Sequence, residues 1–118
     1  MISDDDRDVE RLELIVELAE KIFVRLKTLD WNGFLTNDDE RDLMAFRLLH
    51  IGESSHKLSA NLKDRYPEIA WSQIYRMRNI LSHDYIGMDA MLLWESATMH
   101  LTPLVKICRI EIARILNP

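Results

Sequence analysis

Ser3-Asp4-Asp5-Asp6-Arg7-Asp8-Val9-Glu10-Arg11-Leu12 opens with the marks of a helix start. Ser3 followed three residues later by Asp6 has the form of a reciprocal cap, and the acids beside it suit the positive end of a helix dipole. Beyond the cap, Val9, Leu12, Ile15, Val16, Ala19, Ile22, Phe23 and Leu26 recur at steps of three and four. They form one apolar stripe on a helix expected from Asp4 to about Asp30. A helix with such a stripe buries it only against other elements, so the rest of the chain should supply them.

Working outward, Trp31-Asn32-Gly33-Phe34 breaks the pattern and reads as a connection, with Gly33 free to take a left-handed backbone conformation. Thr36 or Asn37 can cap a second helix, with Leu43, Phe46, Leu49 and then Gly52 or Glu53 on one face, running to about Ala60. Gly52 inside it costs roughly 1 kcal/mol relative to alanine, which fits a close approach by a neighbouring helix better than a break. Asn61 to Tyr66 is polar and Pro67 closes it. A shorter third helix follows from about Ser72 to about Ser82, with Ile74, Met77 and Leu81 inward and Gly87 stopping any continuation. Asp89 caps a long apolar last helix in which Pro103 removes one backbone hydrogen bond and should kink or divide it. The expectation is an all-α, up-and-down bundle of four main helices, one domain over residues 1–118.

Composition agrees. Of 118 residues, 47% are hydrophobic and 30% charged, with three Gly and three Pro, which disfavours both disorder and a turn-rich β fold. A single cysteine, Cys108, excludes an intrachain disulfide and a Cys-based metal site. The first residues are not a basic, apolar leader, and no apolar run reaches the roughly 18 residues of a membrane span, so a cytoplasmic, reduced protein without a membrane partner is expected. The net charge of −5 argues against a uniformly basic nucleic-acid surface. Its distribution is uneven, with −6 in residues 1–20 and +2 in residues 56–86.

That locally basic segment contains Arg78-Asn79-Ile80-Leu81-Ser82-His83-Asp84-Tyr85. Arginine offers a permanently charged fork of donors suited to phosphate, and histidine exchanges a proton near neutrality, a pairing suited to phosphodiester cleavage. Five helical positions turn through roughly 140°, so Arg78 and His83 share a face only if the chain bends at His83 or two chains contribute.

Spelled Arg-x4-His-x-Tyr, the stretch resembles the signature of the HEPN superfamily, and specifically its HepT-like branch of prokaryotic toxins. Ile51-Gly52-Glu53-Ser54 is similar to the Gly-Glu-small element on that family's second helix. The resemblance implies a HEPN-type bundle and a homodimer at least, with a composite cleft between two copies of the motif. It implies a metal-independent endoribonuclease, the toxin of a toxin–antitoxin pair, needing no cofactor. Arg78 and His83 would be catalytic, Asn79, Ser82 and Asp84 supporting, and Gly52 and Glu53 structural or dimer-facing. Tyr85 would be the target of AMP transfer from a cognate MntA-type minimal nucleotidyltransferase antitoxin, which silences the toxin.

Blander readings stand beside these. Arg78 could be a surface ion-pair partner and His83 a cation at a helix C-terminus. The same helical dimer could be a catalytically silent module that binds a nucleotide or a partner. His50, Glu53 and His56 include the Glu-x-x-His spacing of di-iron bundles, but one copy falls short of the ligands such a site needs, and no metal is expected. The acidic first helix reads as a solvated face, or as one that contacts an antitoxin or steers RNA.

Overall fold

The computed structural model describes residues 2–84 and 89–118. They are helical, with no strand among them. The helix over Asp4–Leu26 (α1) begins with the expected capping box: Ser3 Oγ accepts from the Asp6 backbone N–H at 3.1 Å and the Ser3 N–H donates to Asp6 Oδ2 at 3.2 Å. It stops four residues short of Asp30. That aspartate instead caps a short helix, Trp31–Leu35 (α2), accepting from the Gly33 N–H at 2.8 Å. Gly33 is therefore helical, and no glycine among the described residues has a positive φ. The local Asp30 cap, rather than a left-handed turn, breaks the first stripe.

Asn37 caps the next helix, Asp38–His56 (α3), which ends before Ala60. The polar stretch after it forms a single turn, Ala60–Asp64 (α4), capped by Ser59. Trp71–His83 (α5) follows. The last region is divided, as Pro103 suggested, into Ala90–Glu95 (α6), a π-helical turn over Ser96–His100, and Leu101–Leu116 (α7). Pro103 is the third residue of α7, directly after the π turn, and lacks the N–H that a residue there would offer to the preceding turn. The wide turn before it absorbs the disruption. Ser96 and Thr98 hydroxyls donate to the carbonyls of Leu92 and Trp94 at 2.8 and 2.7 Å, satisfying oxygens in that irregular stretch.

Among the described residues α1, α3, α5 and the divided last region carry the fold, with α2 and α4 as single-turn additions. α1 packs on α3 and α7, and α5 packs on α3. Because α3 lies between two helices it is apolar on two sides, burying Met44, Ala45, Leu48, Ile51, Gly52, Ser54 and Ser55. The single face expected through Leu43, Phe46 and Leu49 is not the inner one. Phe46 is 57% exposed, its ring against His50 at 4.5 Å. A sandwiched helix has no one stripe for the three-and-four rule to find.

Two buried carboxylates tie the segments together. Asp8, on the helix read as a solvated acidic face, is buried and accepts from the Ser59 N–H at 2.9 Å and hydroxyl at 2.6 Å, joining α1 to the cap of α4. Glu111 of α7, 2% exposed, receives the Tyr66 hydroxyl at 2.7 Å together with Arg65 and Arg114. Burial pushes its carboxyl up, but the hydrogen bonds from Tyr66, Arg65 and Arg114 outweigh this and hold it below the usual range. Asp5 and Glu20 of α1 pair with Arg114 and Arg109 of α7, so these acids serve the packing of the first helix on the last. Cys108 is fully buried, and burial with the nearby Glu111 charge pushes its thiol up to about 12. It is not a reactive thiolate.

Candidate active site

The two helices that bear the motif and the Gly-Glu element run antiparallel and very close. A Cβ placed on Gly52 would lie 2.7 Å from Arg78 Cβ, a separation real Cβ atoms do not tolerate. Gly52 therefore lets the α5 backbone descend onto α3 at the position where Arg78 leaves the helix. Gly52→Ala is expected to cost about 1–3 kcal/mol through overpacking. An ordinary exposed helical glycine would gain up to about 1 kcal/mol from the same change. Urea melts decide it, and a stabilised variant would show that the helices part without strain.

Next to Gly52, Glu53 meets Arg78 directly. Arg78 Nε and Nη2 both engage Glu53 Oε1, and Arg78 Nη1 donates to Asn79 Oδ1 at 2.7 Å. The two side chains remain 26% and 28% exposed. A guanidinium carries five N–H groups in a rigid plane, so an orientation fixed by Glu53 and Asn79 still leaves two donors for an incoming acceptor. The pair thereby fixes the plane in which those two donors lie. Glu53 also offsets the arginine charge.

His83 is the last residue of α5 and is exposed. Its backbone is still helical, and Asp84 behind it leaves the helix with φ −148° and ψ 55°. On helical geometry, His83 stands about 7.5 Å along the axis from Arg78 and about 140° around it. Within one chain the two are thus neighbours on one helix end but not on one face. Asn79 is half-buried against Arg78, while Ser82 is exposed on a groove shared with Leu49, His50, Glu53 and Lys57. Asp84 donates its backbone N–H to the Ile80 carbonyl at 2.8 Å. Tyr85 and Gly87 lie outside the described residues, so the modification site and the helix stop read from the sequence have no structural description.

The histidines considered as ligands have other company. Glu53 is held by Arg78, His50 lies against Phe46, and His56 stacks on Tyr75 of α5 with ring centroids 4.0 Å apart and planes 9° from parallel. Among the described residues no three His, Cys, Asp or Glu side chains converge as a metal-binding group. No helix among them is long and apolar enough to cross a membrane. The His56–Tyr75 pair was invisible in the sequence, because its partners are separated by the α3–α5 connection and meet only through the antiparallel register. With Glu53 opposite Arg78, one turn further brings His56 opposite Tyr75.

Comparison with known proteins places the sequence in a family. Residues 10–110 fit the model of the family described as ribonuclease HepT-like. A Methanocaldococcus jannaschii protein named as a candidate RNase is 34% identical over 81 residues, covering 69% of this chain and 74% of its own. A Thermococcus cleftensis protein named as a candidate ribonuclease HepT is 33% identical over 85 residues, covering 72% and 77%. A second candidate RNase of Methanocaldococcus jannaschii is 27% identical over 92 residues, covering 78% and 76%. No solved structure matches the chain. With the all-α bundle in place and the family model spanning most of its length, the chain belongs to the HepT-like ribonuclease family of the HEPN superfamily.

Proposed function

We propose that this chain is the toxin of a two-component pair, a metal-independent endoribonuclease in which Arg78 and His83 act on the scissile phosphate. The observation that carries the reading is the Arg78 guanidinium, oriented by Glu53 and Asn79 with donors to spare, on the helix that ends at His83. In the reaction the 2′-oxygen gives up its proton and attacks phosphorus, the bond to the 5′-oxygen breaks, and that oxygen takes up a proton. His83 handles one of these protons. Arg78 stabilises the charge gathering on the phosphorane.

The angular separation of the two residues on α5 supports a site shared between copies, in which a homodimer sets Arg78 of one chain near His83 of the other. Asn79 holds the arginine, and Ser82 and Asp84 flank the histidine. Tyr85 follows two residues after His83, so AMP attached there would set a bulky anion beside the phosphate site and compete for Arg78. The partner supplying it would be a minimal nucleotidyltransferase using ATP.

The test is induction in cells with and without that nucleotidyltransferase, sequencing RNA 3′ ends and weighing the protein. Induced alone, the chain should arrest growth and generate discrete new ends. With the partner, it should gain the mass of AMP on Tyr85 and both effects should cease, whereas Tyr85→Phe should keep cutting and escape silencing. Absence of arrest and of new ends, with folded and unmodified protein, would favour the binding module instead. AMP transfer undiminished on Tyr85→Phe would displace the modification to another residue.

A further inference from the structure

Beyond the motif, the seam between α3 and α5 holds one aromatic feature that the proposed chemistry leaves unused. The His56 and Tyr75 rings are stacked face to face at 4.0 Å, yet His56 is exposed and Tyr75 is 37% exposed. Among the described residues the pair has no hydrogen-bond partner for the tyrosine hydroxyl or the imidazole. The stack is therefore partly open to water.

Its position is specific. Tyr75, Arg78 and Ser82 are spaced i, i+3 and i+7, so they line one side of α5. The axial rise puts Tyr75 about 4.5 Å from Arg78 and about 12 Å from His83 along the helix. Across the seam Glu53 faces Arg78 and His56 faces Tyr75, so the stack is the next step along the line that begins at the guanidinium. Positive charge gathers at the same end of α3. Lys63 Nζ donates to the His56 carbonyl at 3.0 Å, Arg11 Nη1 donates to the Lys57 carbonyl at 2.8 Å, and Lys57 itself is exposed. An exposed aromatic surface flanked by cations, in line with a phosphate-directed arginine, has the elements of a single-strand binding site: stacking for a base and charge for the backbone on either side.

We infer that the His56–Tyr75 stack is a base-binding platform, on which an unpaired nucleobase of the RNA substrate stacks while a neighbouring phosphate lies at Arg78. This rests on the ribonuclease reading and adds its substrate class: RNA that is single-stranded on one side of the cut. Stacking uses the π face common to all bases, so the platform selects for an unpaired nucleotide and not for a base identity.

The experiment measures kcat/KM on a single-stranded oligoribonucleotide with one mapped cut, and on a series of the same oligonucleotide in which an abasic nucleotide is moved along position by position. With wild-type protein, one position near the cut should be sensitive, losing about 5- to 150-fold on removal of its base. Tyr75→Ala and His56→Ala should show a loss within that range on the intact substrate and should no longer respond to the abasic nucleotide at that position. Tyr75→Trp should restore both the rate and the sensitivity, which a merely structural role for the ring pair does not require. Thermal melts of the variants guard against misfolding, and if an alanine variant fails to fold, Tyr75→Leu and His56→Gln, which keep bulk without an aromatic face, should lose the same sensitivity. If wild-type protein cuts the oligonucleotide but no position near the cut is sensitive, or if Tyr75→Ala keeps the wild-type pattern of sensitivity, the platform is overturned and the ribonuclease reading stands. If wild-type protein neither binds nor cuts any RNA offered, both fall together.

Discussion

Alanine at His83 is expected to lower the single-turnover rate of RNA cleavage by about 10²- to 10⁴-fold, the usual contribution of a positioned acid or base. Alanine at Arg78 should cost about 10²- to 10³-fold, as expected for loss of one charged donor at a developing oxyanion. The two differ in what they do to the fold. His83 is exposed at the end of α5, so its removal should change stability by about 0.5 kcal/mol or less. Arg78 is half-buried against Glu53, and its loss strands a partly exposed carboxylate beside Gly52. Discounted for solvent, that costs on the order of 1 kcal/mol. Both variants should therefore remain folded, and melting curves beside the kinetics will separate chemistry from stability. Retention of full activity by both would end the proposed mechanism. Cleavage absent from wild type and variants alike, with nucleotide affinity lost only in Arg78→Ala, would identify a binding module.

Phe34→Ala should be the most damaging single change to the fold, at about 3–5 kcal/mol, typical of deleting a fully buried aromatic ring. The Phe34 ring is inaccessible to solvent and sits 5.2 Å from the Trp94 ring and 6.2 Å from Trp31, which is itself 5.9 Å from Trp94. This cluster fastens the short α2 to α6, just before the π turn. Small domains are stable by only about 5–15 kcal/mol, so a loss of this size should lower Tm by about 10–20 °C. Phe46→Ala is the internal control. Its ring is mostly exposed, and its loss should change stability by about 0.5 kcal/mol or less. Equal effects at the two positions would show that the aromatic cluster does not support the fold.

Neither phenylalanine was readable in the sequence, where Phe34 fell in a connection and Phe46 on an inner face, whereas other elements were. α1 was legible, cap and stripe, because its start is set by local side-chain bonds and its buried face is single. The break before α7 was legible because a proline acts on its own backbone. α3 was misread, since a helix covered on two sides distributes its apolar residues around the axis, and neither Phe46 outside nor Ser55 inside follows from spacing. Asp8 looked like one acid among many until Ser59, 51 residues away, supplied its two donors.

The same division holds at the site. By itself the sequence determined an all-helical chain, the family to which it belongs, and the identity and spacing of Arg78, His83 and Tyr85, since these reside in local pattern and residue chemistry. Only the tertiary structure decided that Gly52 brings α5 onto α3, that Glu53 and Asn79 set the direction of the guanidinium, and that His56 meets Tyr75. Apart from the Arg78–Asn79 bond, those are contacts between residues 19 to 26 positions apart, fixed by the antiparallel register of two helices, and the path of the chain between them leaves no periodic trace.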